Sequence, residues 1–207
     1  MGVTRKRTAI LISGRGSNMR ALIEAAQASD YPAEIALVIS NRPGAGGLDL
    51  ARAASIEAQT VDHKAFAGRE PFEQALDAAL RQARIDLVCL AGFMRLLTPW
   101  FVERWRDRVI NIHPSLLPAF PGTDTHRRAL QAGVKLAGCT AHYVHAGTDD
   151  GPIIAQAAVP VLQGDTEDTL AARILQAEHK LYPLALRLVA SGETPRPGEG
   201  ALFNPAP

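Results

Sequence analysis

The chain has 207 residues, 47% of them hydrophobic, enough to bury a full core as one domain. Lys and Arg number 22 against 21 Asp and Glu, a formal charge of +1, which excludes a bulk electrostatic grip on nucleic acid and leaves any anion site to be local. The basic start Arg5-Lys6-Arg7 precedes an apolar run of only Thr8 to Ile12, too short for a signal-peptide core or a membrane span, so a cytoplasmic protein without membrane attachment is expected.

Thr8–Ser13 reads as the first strand and Asn18–Ala28 as the first helix, joined by Ser13-Gly14-Arg15-Gly16-Ser17-Asn18. The glycines let backbone N–H groups approach an anion, Ser17 and Asn18 can donate, and the helix N-terminus adds a favourable field. A glycine turn with a helix cap has the same pattern, so both readings stand here. Position 19 is Met, not the third glycine of a dinucleotide fingerprint, and the second strand, Glu34–Ser40, runs into Asn41 without the acid that would hold a ribose. With no GxxxxGK[ST] loop either, a nicotinamide or ATP site is disfavoured and a monophosphate ester remains open.

A helix over Leu48–Ser55, a strand over Ala58–Asp62 and a helix over Glu70–Ala83 follow. Leu87–Gly92 is apolar almost throughout, as in a central strand buried on both faces. The loop after it, Gly92 to Pro99, is apolar where exposed loops are polar; it is either the wall of a pocket for a flat, partly apolar ligand or a loop tucked under the next helix, Thr98–Arg104. Val109–His113 is the fifth strand. Asn111 and His113 lie two apart on it and so point the same way. An amide donor and an imidazole on one face can bind an oxygen that becomes negative and can move a proton. Equally, they can satisfy loop backbone.

After a helix over Thr125–Ala132, strands over Gly138–Val144 and Ile153–Val161 are close enough to pair antiparallel. The turn between them carries Asp149 and Asp150, residues that turns often hold for conformational reasons alone. Thr166–Leu188 reads as a long helix, capped by Asp165 or Thr166 and kinked or ended at Pro183. Cys89 and Cys139 sit in apolar strands, as packed thiols. The alternation of strands and helices predicts an α/β fold: a mostly parallel, Rossmann-like sheet with helices on both faces and an antiparallel C-terminal extension. One domain over 1–190 is expected, with 191–207 an irregular Gly/Pro-rich tail. In such a sheet, ligands bind beyond the carboxyl ends of the strands.

Ser13–Asn18, Ala91–Leu96, Asn111–Pro118, Pro121-Gly122, Thr125-His126, Asp149–Pro152 and Gln176–His179 follow one another as in the folate-dependent phosphoribosylglycinamide formyltransferase family, which the chain resembles from about Thr8 to Leu188. The resemblance implies formyl transfer from 10-formyltetrahydrofolate, as co-substrate, to the amine of 5′-phosphoribosylglycinamide in purine biosynthesis, with no metal. It implies a catalytic trio of Asn111, His113 and Asp149, a phosphate cradle of Gly16, Ser17 and Asn18, and a ribonucleotide contact at Glu178. Folate positions are implied at Arg69, Met94, Arg95, Leu96 and Leu97, besides Asn111. A carboxylate at Asp149 favours the charged form of His113. The chain departs from the family in having Asp150 where glycine is common, Asp124 where histidine is common, and Arg15 beside the cradle.

Four other readings compete. A methionyl-tRNA formyltransferase is expected to need a further C-terminal domain and a basic surface, and a formyltetrahydrofolate hydrolase an N-terminal regulatory domain. A nucleotide-phosphate-binding module would leave Asn111, His113 and Asp149 without a joint purpose. A Ser115/His113/Asp149 hydrolytic triad lacks the G-x-S-x-G elbow. His142 and His145 are three apart and make a poor metal pair; His142 reads as a packed residue near the site. Small-molecule substrates are the expected partners, with no nucleic acid or membrane, and a monomer or homodimer is open.

Overall fold

A computed structural model of the chain describes residues 5–147 and 149–192 and the backbone of 201–203. The order is β1 (Lys6–Ile12), α1 (Ser17–Ala25), β2 (Ala33–Ser40), α2 (Gly46–Ala53), β3 (Glu57–Thr60), a 3-10 turn at His63–Ala65, α3 (Arg69–Gln82), β4 (Leu87–Leu90), α4 (Pro99–Arg104) and β5 (Val109–His113). α5 (Thr125–Gln131), β6 (Leu136–Tyr143), β7 (Ile153–Pro160), α6 (Glu167–Ser191) and β8 (Ala201–Phe203) complete it. Among the described residues the sheet runs β3-β2-β1-β4-β5-β6-β7-β8. The first five strands pair in parallel, β6 runs antiparallel to β5 and β7, and β8 lies parallel to β7. The expected α/β architecture, antiparallel extension included, is present.

Two core layers explain the apolar pattern. Ile10, Ile12, Val38, Cys89 and Ile110 pack under α1, α2, α5 and α6, while Ala9, Leu11, Leu37, Ile39, Val88 and Leu90 pack under α3 and α4. Alternate residues of β1 thus serve opposite faces, as a sheet covered on both sides requires. Both cysteines are free and buried, and burial pushes the Cys89 thiol up to about 12.

Two expectations need correction. The long helix does not end at Pro183 or at Leu188; it continues to Ser191. Anchors on both sides of the proline hold it: Tyr182 Oη donates to the carbonyls of Leu90 and Ile110, and Tyr31 Oη donates to the Pro183 carbonyl. The tail is not irregular throughout, because Ala201–Phe203, the longest apolar run within it, adds a strand to the exposed edge of β7. The remaining tail residues, 193–200 and 204–207, lie outside the described part.

Close packing in the extension gives a stability prediction. A Cβ on Gly138 of β6 would overlap the Ala157 carbonyl oxygen of β7 and crowd Leu116. Gly138→Ala is therefore expected to cost about 1–3 kcal/mol, read from the midpoint of urea unfolding.

Candidate active site

Sheet order sets the site. It reverses between β1 and β4, and the loops leaving the carboxyl ends of β1, β4 and β5 lie side by side at that crevice. The glycine loop follows β1, the apolar loop follows β4, and Asn111 and His113 end β5. Leu90 pairs with Asn111, and the Ser13 N–H donates to the Gly92 carbonyl (3.2 Å), so the apolar loop lies between the other two.

β5 presents Asn111 and His113 to one side, and the antiparallel register sets Asn111 against His142 of β6. Asn111 Nδ2 lies 3.3 Å from His142 Nε2. His142 Nδ1 lies 2.8 Å from the Tyr143 carbonyl, which can only accept, so that nitrogen carries the proton and Nε2 offers its lone pair to the Asn111 amide. Burial holds the His142 pKa below the ordinary histidine value, which keeps this neutral form. His142 therefore aims the Asn111 amide.

His113 is 5% exposed. Its Nε2 lies 3.0 Å from the Phe120 carbonyl and its Nδ1 3.3 Å from Asp149 Oδ2. The Phe120 carbonyl can only accept, so Nε2 is the nitrogen held by the loop, and Nδ1 is the one that faces Asp149. Asp149 has a left-handed backbone (φ 54°), accepts from the Gly122 N–H at 2.9 Å, and places its other oxygen 3.7 Å from His142 Nε2. The three residues proposed for catalysis thus converge, with His142 as a fourth contact.

Other candidates fall away. Ser115 Oγ donates to the carbonyls of Ala119 (2.6 Å) and Phe120 (3.1 Å), so it is spent on its own loop and no hydrolytic triad forms. Thr140 Oγ1 accepts from the Leu117 N–H (3.0 Å) and donates to the Ser115 carbonyl (2.7 Å), pinning that loop beneath the site. Asp150 turns its carboxylate towards Gly147. Asp124 pairs with Arg127 at 2.6 Å, and His145 with Asp107 at 3.2 Å. Among the described residues no group of three or more His, Cys, Asp or Glu is placed to hold a metal ion.

In the glycine loop, Gly16 is left-handed (φ 77°), and a Cβ there would press on Met19 and the Gly47 backbone. α1 starts at Ser17 with no side-chain cap and no acid in its first turn, so its N–H groups remain for an anion. Asn18 is partly diverted from its expected part: its Nδ2 donates to Glu178 Oε2 at 2.7 Å. What this turn offers an anion is then the Ser17 hydroxyl and the backbone N–H groups, with Asn18 joined to Glu178.

Burial drives the Glu178 carboxyl up to about 7, the Asn18 hydrogen bond opposing. Between the ordinary carboxylate value near 4.5 and about 7 the native state holds this proton more tightly than the unfolded chain, so stability falls as pH rises through that window. Glu178→Gln is expected to flatten that slope, measured by urea unfolding between pH 4.5 and 7.

The loop after β4 keeps Met94 and Leu96 outside, at 68% and 61% exposed, while Phe93 is buried and stacks on Phe72 of α3 (12°, 6.5 Å). Arg95 lies over the same Phe72 ring, 6.0 Å from its centroid. Thr98 donates from its N–H to the buried Glu73 carboxylate at 2.8 Å. Leu97 is half-buried, packed against the core on that face. Arg69 stands exposed in the first turn of α3, and among the described residues no ion pair or hydrogen bond occupies it.

Sequence reasoning passed over four contributors: the Phe120 carbonyl, the Gly122 N–H, Ser13 and Asn41. Backbone groups leave no side-chain signal, although Pro121-Gly122 was visible as a motif. Asn41 stood out only as a missing acid.

The family model for formyl transferase matches residues 6–186. A phosphoribosylglycinamide formyltransferase from Escherichia coli is 44% identical over 88% of this chain and 86% of its own length. The crystal structure of a phosphoribosylglycinamide formyltransferase from Brucella melitensis superposes with a TM-score of 0.87 at 58% identity, covering 91% of this chain and 97% of that one. The trifunctional purine biosynthetic protein adenosine-3 of Drosophila pseudoobscura is 53% identical over 94% of this chain, which spans only 14% of that protein's length.

Proposed function

The chain belongs to the formyl transferase family, and from that premise we propose that it moves the formyl group of 10-formyltetrahydrofolate to the primary amine of 5′-phosphoribosylglycinamide, a step of purine biosynthesis. The products are N-formylglycinamide ribonucleotide and tetrahydrofolate. The observation that carries this reading is the convergence of Asn111, His113 and Asp149 beside an uncapped helix N-terminus. No helix among the described residues is long and apolar enough to cross a membrane. Residues 1–190 are assigned to one catalytic unit.

The phosphate rests on Gly16, Ser17 and Asn18, and Glu178 meets the ribonucleotide. The folate lies along Met94, Arg95, Leu96 and Leu97, with Arg69 available to a carboxylate. The amine attacks the formyl carbon, and the carbonyl oxygen takes the negative charge of a tetrahedral intermediate. Asn111 Nδ2–H and His113 donate to that oxygen. Nε2 is held by the Phe120 carbonyl, so Nδ1 is the nitrogen that serves the reacting atoms, giving up its 3.3 Å contact with Asp149 as it does so. Collapse of the intermediate breaks the bond to N10. One proton leaves the amine and one reaches N10; His113 and Asp149 are the titratable pair within reach.

The test is turnover of formyl-folate with and without the ribonucleotide, followed by folate absorbance and acceptor mass. Formyl gain by the acceptor supports the reading. Acceptor-independent release of formate would instead indicate a hydrolase, and no turnover would sink both.

A further inference from the structure

We propose that Ser13 is a positioning residue that ties the loop after β4 to the phosphate cradle, so that its hydroxyl, without touching either substrate, governs how well the folate is held. The inference rests on the functional reading above only for what the two loops bind.

Ser13 is buried at the end of β1, immediately before the cradle glycines. Its Oγ accepts from the Met94 N–H at 2.8 Å and donates to Asn41 Oδ1 at 2.6 Å. With its own N–H on the Gly92 carbonyl, one residue grips the start of the apolar loop at both Gly92 and Met94. The hydroxyl cannot turn freely, because Asn41 is itself fixed. Asn41 is fully buried, its N–H donates to the Ile12 carbonyl (3.3 Å), and its own carbonyl lies 2.8 Å from His63 Nδ1. The proton therefore points at Asn41 and a lone pair at Met94.

The loop has further anchors, but they lead elsewhere. Phe93 rests on Phe72, and Thr98 is held by Glu73, both on α3. Ser13 is the anchor that reaches across to the cradle side. It also fixes the backbone of Met94, whose side chain is left outward for a ligand. Removing the hydroxyl strands a Met94 N–H and a buried Asn41 oxygen together.

The experiment compares Ser13→Ala, Ser13→Thr and Thr8→Val, the last removing a buried hydroxyl at the far end of the same strand. Ser13→Ala is expected to raise KM for formyl-folate about tenfold, with kcat within about twofold. Hydrogen exchange across residues 92–98 should accelerate. Ser13→Thr should restore both and Thr8→Val leave both unchanged. Should Ser13→Ala fail to fold, Ser13→Cys carries the same expectation, since a thiol is a poor acceptor. Wild-type KM in Ser13→Ala or Ser13→Cys, or an equal rise in Thr8→Val, overturns the proposal. Faster exchange in a protein whose wild type turns over neither substrate upholds the tether and overturns the substrate reading instead.

Discussion

Asn111→Ala lowers kcat by about a hundredfold to a thousandfold, with a much smaller change in KM for either substrate. The amide donates to an oxygen that is negative only in the intermediate, so its loss is felt in the transition state and little in ground-state binding. The expected stability cost is small, about 1 kcal/mol, because the broken partner is a neutral imidazole at 3.3 Å. Steady-state kinetics and a thermal melt on the same preparation separate the two effects. A folded variant with wild-type turnover would remove Asn111 from the chemistry.

Asp149→Asn is expected to cost about a hundredfold or more in kcat, in the range typical of acid–base groups. The carboxylate accepts from the Gly122 N–H with the same oxygen that faces His113, and its other oxygen faces His142. An amide that keeps its oxygen on Gly122 and His113 turns its N–H to the His142 Nε2 lone pair, so the contacts can survive the substitution. What it loses is the negative charge and a carboxylate's capacity to take up a proton during the transfer. Asp150→Asn is the control: that carboxylate turns to Gly147, so turnover should remain within about twofold. Equal losses in the two variants would show that the turn needs acidity in general and not Asp149 at this atom.

The alternation of strands and helices and the two-sided burial were legible in the apolar runs, since β1, β4 and β5 carry the residues that both core layers need. Boundaries shifted by a residue or two where backbone pairing outran the apolar pattern, as at Lys6, which pairs with Ala33. Pro183 does not end the helix, although a proline weakens one locally, because Tyr182 reaches from it to the sheet and Tyr31 holds the Pro183 carbonyl, a tertiary effect that no window of sequence contains. Asn111 and His113 were readable from the period of a strand. Asp149 was not, because reaching His113 requires the loop after β6 to fold back across the sheet with a left-handed residue at its tip. Asn18 shows the opposite limit: its type suits an anion, but a buried acid 160 residues away claims its amide.

The proposed reaction passes a formyl group directly to an amine at this site. Single-turnover mixing of isotopically labelled formyl-folate with the ribonucleotide, in the wild type and in Asn111→Ala, tests it most directly. Label is expected to move to the ribonucleotide as it leaves the folate, with no free formate, and Asn111→Ala to slow both together. Label emerging as formate, at a rate indifferent to the ribonucleotide, would contradict it.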